Sequence, residues 1–272
     1  MNSKKSSKPS QSPPLVQIQE VLDEALLAET GEAAISIWKE ALFGAELLLL
    51  LTSPVYYGLG TPYGDGSAVV ILPGFLGGDH YLGQLSSWLG RIGYHPYVSG
   101  IHFNAECPNL LIKRQLNTTL QLALAQTGKK VHLIGHSLGG VIARSLAGQR
   151  PKDIASVITL ASPFRGTIAH RSILRAAEVV RHRILEEHGR DVLPECYTSR
   201  CTCDFLKSLR RPVPRTVMET AIYTLDDGVV DPKVCRTGIS HQDFEVPGTH
   251  IGLAFNSSAY SVIANRLAAA QE

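Results

Sequence analysis

Short apolar segments alternate with longer amphipathic ones through most of the chain. Residues 68–73, 131–134 and 154–160 consist mainly of Val, Ile, Leu and Ala, which is typical of strands buried on both faces of a parallel sheet. The remaining predicted elements are strands at 94–101, 216–224 and 244–246 and helices at 81–92, 110–124, 138–149 and 256–270. This alternation with short connections predicts an α/β fold with a mostly parallel central sheet and helices on both faces.

The pattern is different before residue 67. Residues 1–14 are rich in Ser, Lys and Pro and are predicted to be disordered. Residues 15–66 predict a helical extension packed on the domain formed by 67–272, with helices at 15–27 and 33–51 and a Gly- and Pro-rich loop at 54–66.

Five consecutive leucines at positions 47–51 raise the question of a membrane segment. Lys39, Glu40 and Glu46 interrupt the apolar stretch and Pro54 ends it, so it is shorter than the roughly 20 residues that a spanning helix needs. Because no cationic face accompanies the leucines, we expect a helix docked on the domain rather than an interfacial anchor. Transient contact with a lipid interface stays open as an alternative.

The alternation also stops after the strand at 154–160. An arginine-rich amphipathic helix is predicted at 170–187, and the stretch at 189–215 is irregular. We therefore expect residues 166–214 to form a helical and irregular cap, inserted over the carboxyl edge of the sheet where ligands bind in such folds.

Composition narrows the function only slightly. The net charge is +2, and the lysines and arginines form no stripe, which argues against nucleic-acid binding. No apolar segment follows the basic start, so we predict no signal peptide and favour a cytoplasmic location.

The five cysteines are an odd number, so at least one lies outside any internal disulfide. The cluster of Cys196, Cys201 and Cys203 does not have the spacing of a zinc knuckle, and we expect one loop disulfide or reduced thiols there. Cys107 and Cys235 are isolated in sequence. No metal is predicted.

The most informative stretch is residues 131–143, VHLIGHSLGGVIA. A strand is followed by the G-x-S-x-G pattern around Ser137 and then by a helix, which is the context of a sharp turn that presents a serine hydroxyl above a sheet. Gly135 and Gly139 flank the serine because the backbone of such a turn is strained and closely packed. Ser137 is the predicted nucleophile.

A serine hydroxyl needs a base to remove its proton. His250 is the best candidate, since it lies in a glycine-flanked loop between the last strand and the last helix. His132 is expected to pack within its strand. His136 adjoins the serine, but neighbouring residues at a tight turn point apart.

The base in turn needs an orienting acid. Asp227 follows a predicted strand at an Asp-Gly turn, and the order Ser, Asp, His is that of α/β-hydrolases. Asp226 and Asp231 are rivals in the same loop.

These segments resemble the α/β-hydrolase superfamily, and within it the esterases and triacylglycerol lipases. The blocks that carry the resemblance are 72–78 (LPGFLGG), 135–140 (GHSLGG) with Ala143-Arg144, 160–167 (LASPFRGT), 227–230 (DGVV) and 248–253 (GTHIGL). The resemblance implies a Ser137, His250 and Asp227 triad and no cofactor.

The resemblance also implies an oxyanion hole made by the backbone N–H groups of Leu138 and Phe75. Pro73-Gly74 stands where many members have His-Gly, so Leu76 competes with Phe75 for the second position. Leu76 and His136 are the residues expected to contact substrate.

The implied activity is hydrolysis of a small-molecule or lipid carboxylic ester through an acyl-enzyme. An acyltransferase or an amide or thioester hydrolase of the same fold would share these motifs. A non-catalytic binding protein of this fold is a further alternative, because fold alone does not fix function.

Overall fold

The computed structural model describes residues 29–189 and 202–271. Within them, six strands form a sheet in the order β3-β2-β4-β5-β7-β8, and each neighbouring pair is parallel. These strands are β2 (Ala68–Leu72), β3 (His95–Val98), β4 (Val131–His136), β5 (Ile154–Leu160), β7 (Met218–Tyr223) and β8 (Asp243–Glu245). The predicted α/β class with its parallel sheet is confirmed.

Helices cover both faces of this sheet. They are α1 (Phe43–Thr52), α2 (Gly83–Arg91), α3 (Pro108–Leu111), α4 (Asn117–Thr127), α5 (Leu138–Gln149), α6 (Arg171–His188), α7 (Asp204–Leu209) and α8 (Ser257–Ala269). A π-helical turn (Ile112–Leu116) joins α3 to α4, and 3-10 turns lie at Ile37–Leu42, Pro54–Tyr57, Asp79–Leu82, Pro232–Cys235 and Gly252–Phe255.

Alternate residues of the inner strands β2, β4, β5 and β7 supply two separate cores, as the two-residue period of a strand requires. In β2, Val70 packs on the face covered by α4 and α5, whereas Val69 and Ile71 pack on the face covered by α2 and α8. In the second core the rings of Trp88 and Tyr260 are in contact, with centroids 4.5 Å apart. Full burial on both faces explains why β2 contains no polar residue.

The segment before residue 67 is more varied than the predicted helical extension. Glu29–Glu32 form a strand, β1, which pairs in parallel with β6 (Gly166–Ala169). The sequence ETGE has no strand pattern, so the partner strand decides the conformation here. The helix predicted at 33–51 begins as the 3-10 turn Ile37–Leu42, and its α-helical part is α1.

The leucine run of α1 divides between the interior and the surface. Leu50 is fully buried in the core beside α8, whereas Leu48 and Leu49 are exposed, and so is Trp38 in the preceding turn. Docking on the domain is therefore observed, and contact with a lipid interface stays a prediction. Among the helices described, none combines the length and apolar character needed to cross a membrane.

The cap region contains more regular structure than expected. Its first residues form β6, its amphipathic helix is α6, and α7 lies within the stretch predicted to be irregular. The predictions for 1–14, for the helix at 15–27 and for Cys196 and Cys201 lie outside the described residues.

Candidate active site

The order of the strands creates a crevice at one edge of the sheet. The strand that follows β2 in sequence, β3, lies on one side of it, and β4 lies on the other. Because the chain direction across the sheet reverses here, the turns after β2 and β4 meet at a switch point, where ligands bind in open parallel sheets. These are the turns that carry Gly74 and Ser137.

Ser137 occupies a strained turn between β4 and α5. Its φ of 52° and ψ of −124° are unusual for a residue with a side chain, and its N–H donates to the carbonyl of Leu160 at 2.8 Å. A Cβ on Gly139 would lie 2.3 Å from the carbonyl oxygen of Leu72, and one on Gly135 would lie 2.4 Å from the backbone of Gly139. The glycines of the motif are thus required by close backbone approach.

The structure brings Asp227 and His250 together. Oδ2 of Asp227 lies 2.8 Å from Nδ1 of His250, and both residues are buried. Oδ1 of Asp227 accepts hydrogen bonds from the N–H groups of Val229 and Val230, each at 2.8 Å, so the carboxylate is oriented by its own turn. With Nδ1 donating to a carboxylate, Nε2 of His250 is the ring nitrogen that can accept a proton.

The two rival aspartates are engaged elsewhere. Asp226 is exposed and forms an ion pair with Lys39, with Oδ1 and Nζ 2.7 Å apart. Asp231 accepts from the N–H of Lys233 and caps the 3-10 turn that follows. Of the three candidates, the geometry favours Asp227.

His136 does more than adjoin the serine. Its Nε2 lies 2.8 Å from the carbonyl oxygen of His250, which can only accept, so Nε2 carries the proton. Its Nδ1 then accepts from the hydroxyl of Tyr81 at 2.8 Å, and that hydroxyl accepts from the N–H of Gly74 at 2.7 Å. This chain connects the turn after β2, the turn after β4 and the loop of His250.

Burial determines the protonation states of His136 and Tyr81. Burial and the neighbouring His250 lower the pKa of His136 to about 3, so its ring is neutral near neutral pH. Burial also raises the pKa of the Tyr81 hydroxyl, which therefore keeps its proton. Tyr81 was not predicted from the sequence, since a tyrosine in an amphipathic helix is ordinarily a packing residue.

The backbone donors beside Ser137 can be compared directly. The N–H of Leu76 donates to the carbonyl oxygen of Asn104 at 2.9 Å, so it is engaged within the protein. Phe75 stays the predicted second donor. Leu138 is the first residue of α5, and the first N–H groups of a helix have no acceptor within it. Phe75, Leu76 and Leu138 all line the same cavity as Ser137.

That cavity has a volume of about 380 Å³ and is mostly apolar. Ser137, His136 and His250 lie along its wall, and the cap contributes the apolar side chains of Ile173, Leu174, Ala177, Phe205 and Leu206. An apolar cavity with a few convergent polar groups is typical of a small-molecule site. The predicted contacts of Leu76 and His136 with substrate stay predictions.

A possible metal-ligand group lies elsewhere among the described residues. Ligand atoms of Glu106, Glu187 and His188 come within 4.8 Å of one another. None of the three lines the cavity beside Ser137. Cys203, from the predicted cysteine cluster, packs against the core as a partly buried side chain.

Comparison with known proteins identifies the family. The family model for palmitoyl protein thioesterase matches residues 69–208, just over half of the chain. The chain belongs to this family. The match includes the turns of Phe75 and Ser137, whereas Asp227 and His250 lie beyond it. Membership agrees with the esterase and lipase type of α/β-hydrolase that the motifs resemble.

Lipases are among the relatives of this family member. A triacylglycerol lipase from Burkholderia plantarii is 31% identical over 134 residues, which are 46% of this chain and 37% of the relative. A triacylglycerol lipase from Pseudarthrobacter phenanthrenivorans is 33% identical over 107 residues, 36% of this chain and 34% of the relative. Each match therefore spans little more than a third of the relative.

Solved structures agree on the fold. The monoacylglycerol lipase of Paleococcus ferrophilus is 14% identical with a TM-score of 0.51, over 77% of this chain and 97% of that one. A structure from the study of LipS and LipT, two metagenome-derived lipolytic enzymes, is 15% identical with a TM-score of 0.52, over 78% of this chain and 96% of that one. At these identities the likeness is one of fold.

Proposed function

We propose that this α/β-hydrolase cleaves acyl esters or thioesters through an acyl-enzyme on Ser137. One observation carries the proposal: a serine on a strained turn lines the same apolar cavity as a histidine that is bonded at 2.8 Å to a buried aspartate. A nucleophile, a base and an orienting acid are the groups that acyl transfer requires.

In the proposed first half-reaction, Oγ of Ser137 attacks the acyl carbonyl carbon while Nε2 of His250 accepts the hydroxyl proton. Asp227 stabilises the imidazolium that forms, and the N–H groups of Leu138 and Phe75 are the candidate donors to the oxyanion. The tetrahedral intermediate collapses with loss of the alcohol or thiol, which receives the proton from His250. Water then attacks the acyl-enzyme by the same route and releases the acid.

The family match supports a thioester substrate, and the lipase relatives support an oxygen ester. For both kinds of substrate, the apolar cavity wall favours an aliphatic acyl group over a charged acyl group. A matched pair of substrates with the same octanoyl group, one a p-nitrophenyl ester and one a thioester detected by thiol release, would distinguish the two by their kcat/KM ratio. A palmitoyl pair would then test chain length.

The assignment of the nucleophile is tested by Ser137→Ala. We expect folding to be retained and turnover to fall by several orders of magnitude, roughly the 10³- to 10⁶-fold range for loss of a nucleophile. Ser87→Ala, at an exposed serine of α2, is the matched control and should label with a fluorophosphonate probe like the wild type. Turnover of the Ser137→Ala variant close to that of the wild type would refute the proposal.

A further inference from the structure

A carboxylate from outside the sheet joins the loops that carry the candidate acid and base. Glu40 lies in the 3-10 turn before α1 and is only 6% exposed. Its Oε1 accepts from the N–H of Gly228 at 2.9 Å and from the N–H of His250 at 3.1 Å, and its Oε2 accepts from the N–H of Ile251 at 2.8 Å. Glu40 therefore bonds the backbone of both loops at once.

The three N–H donors belong to the backbone at or next to Asp227 and His250, so their positions determine how these two side chains lie relative to each other. Gly228 directly follows Asp227, and the other two amides belong to His250 itself and to the residue after it. The Asp227 side chain is oriented separately, by the amides of Val229 and Val230. The bonds of Glu40 thus fix the position of one loop backbone relative to the other.

The contact is also sterically specific. A Cβ on Gly228 would come within 2.8 Å of Oε1 of Glu40 and 2.7 Å of the carbonyl oxygen of Ser36, so the acid loop fits closely against this turn. An ionised carboxylate accepts at both oxygens and donates nothing, which matches a site made of three N–H donors. An amide in its place offers one accepting oxygen and turns an NH₂ group toward a donor.

A second carboxylate, one helical turn and a half further along, reinforces the base loop. Oε1 of Glu46 accepts from the N–H of Thr249 at 2.9 Å, and its Oε2 accepts from the Thr249 hydroxyl at 2.6 Å. The hydroxyl of Thr249 in turn accepts from the N–H of Gly252. This carboxylate contacts only the base loop in these bonds, whereas Glu40 spans both loops.

We propose that Glu40 is a positioning residue that holds the His250 base in register with the Asp227 acid, an inference that rests on the proposed function. Reaction through His250 depends on small displacements, since a misplacement of about 1 Å can cost on the order of a hundredfold in rate. Glu40 is not among the described residues that line the cavity, so it has no direct contact with a substrate bound there. Loss of Glu40 should therefore affect turnover more than substrate binding.

The test uses Glu40→Gln and Glu40→Ala in the full chain, with acyl ester kinetics. We expect kcat to fall by about tenfold for Gln and about a hundredfold for Ala, with KM changed by less than about threefold. Glu186→Gln, which removes the same charge from an exposed position of α6, and Lys39→Ala, which removes only the exposed ion pair with Asp226, are the controls. Both controls should keep wild-type kcat.

Amide hydrogen exchange separates positioning from general destabilisation. In Glu40→Gln we expect faster exchange in segments 226–231 and 247–252, with exchange in β4 and β5 unchanged. Wild-type kcat in both Glu40 variants, or faster exchange spread over the whole sheet, would overturn the proposal. If the wild type turns over neither ester nor thioester, the proposed function fails, and exchange in the two loops still decides whether Glu40 holds them.

Discussion

The two halves of the candidate site are built by different means. On the nucleophile side, Ser137 and the turn after β2 are held by adjacent strands and by glycines whose backbones touch. On the acid and base side, Asp227 and His250 lie in loops after β7 and β8, at the end of the sheet. Glu40 joins the two loops by bonds to Gly228 and His250, which lie 188 and 210 residues further along the chain. A contiguous motif specifies the first arrangement, and contacts between distant segments specify the second.

The difference predicts different responses to substitution. The backbones around Ser137 are in direct contact, so a single methyl group added to one of the glycines should prevent this turn from forming. Hydrogen bonds to loops can be removed one at a time, so the acid and base side should lose rate in steps while the sheet stays folded.

The largest effect is expected for Gly139→Ala. The new Cβ would lie 2.3 Å and 2.5 Å from the carbonyl oxygens of Leu72 and Pro73, and neither backbone atom can move without disturbing β2. We expect failure to accumulate folded protein, measured by soluble yield and circular dichroism. Gly83→Ala, where an added Cβ meets nothing within 4 Å, should fold normally. A folded and active Gly139→Ala enzyme would contradict the backbone argument.

The next largest effect separates two neighbouring aspartates. Asp227→Asn should fold and lose about 10⁴-fold in kcat, the scale seen when the acid of a Ser-His-Asp triad is neutralised, because the imidazole loses its partner at Nδ1. Asp226→Asn removes only an exposed ion pair with Lys39 and should keep kcat. Steady-state ester hydrolysis measures both, and a reversed ranking would reassign the acid.

A smaller effect is expected where the two halves meet. Tyr81→Phe removes the hydroxyl that bridges Gly74 and His136, which leaves a buried donor and a buried acceptor at a cost of about 1–3 kcal/mol each. We expect kcat to fall by about tenfold, a barrier increase of about 1.4 kcal/mol, because Gly74 precedes the candidate donor Phe75. Tyr97→Phe, at a hydroxyl bonded to Gln126 on the surface, is the control. Equal kcat in the two variants would argue against the bridge.

The last prediction concerns the free energy of unfolding, which should depend on pH, rather than the rate of hydrolysis. Burial lowers the pKa of His132 to about 4 and that of His136 to about 3, and both residues lie in β4. The unfolded chain, with histidine pKa values near 6.5, binds more protons than the folded one below that pH. The two histidines therefore do not reduce the free energy of unfolding above pH 6.5. As the pH falls toward 4, each of them lowers that free energy by about 1.4 kcal/mol per pH unit.

Urea unfolding between pH 7 and pH 4 measures this slope. His132→Gln should reduce the slope by the contribution of one histidine. The ring of His132 is buried between Ser156 and Ser67, so in the folded protein it could be protonated only at that buried position. An unchanged slope in that variant would show that His132 does not carry the effect.

The α/β fold and the chain order of the candidate site residues could be predicted from the sequence. Apolar strands of β2 and β4, the glycine spacing around Ser137 and the order of Asp227 and His250 are local patterns or simple orderings. The sequence favours Asp227 and leaves Asp226 and Asp231 as rivals in the same loop. The structure adds the contacts that distinguish the first two, since Asp227 bonds to His250 whereas Asp226 pairs with Lys39 at the surface.

Other features had no local signal. In the sequence Glu40 and Glu46 were only interruptions of an apolar stretch, and a buried carboxylate there looks the same as a solvated one because its donors are about 200 residues away. β1 is a strand only because β6 pairs with it. Tyr81 shares the apolar spacing of a packed helix and gives no sign of its hydrogen bonds.

The bonds of Glu40 also bear on where the functional unit of this protein begins. The family match starts at residue 69, and every residue of the motifs lies after that point. A version of the chain trimmed to those motifs would keep the candidate nucleophile, acid and base in order. It would lose the acceptor that joins the loops of the last two, together with Leu50 from the core. If Glu40 positions these loops as proposed, a family member with the same motif residues and a different N-terminal segment should be less active unless another group replaces this acceptor.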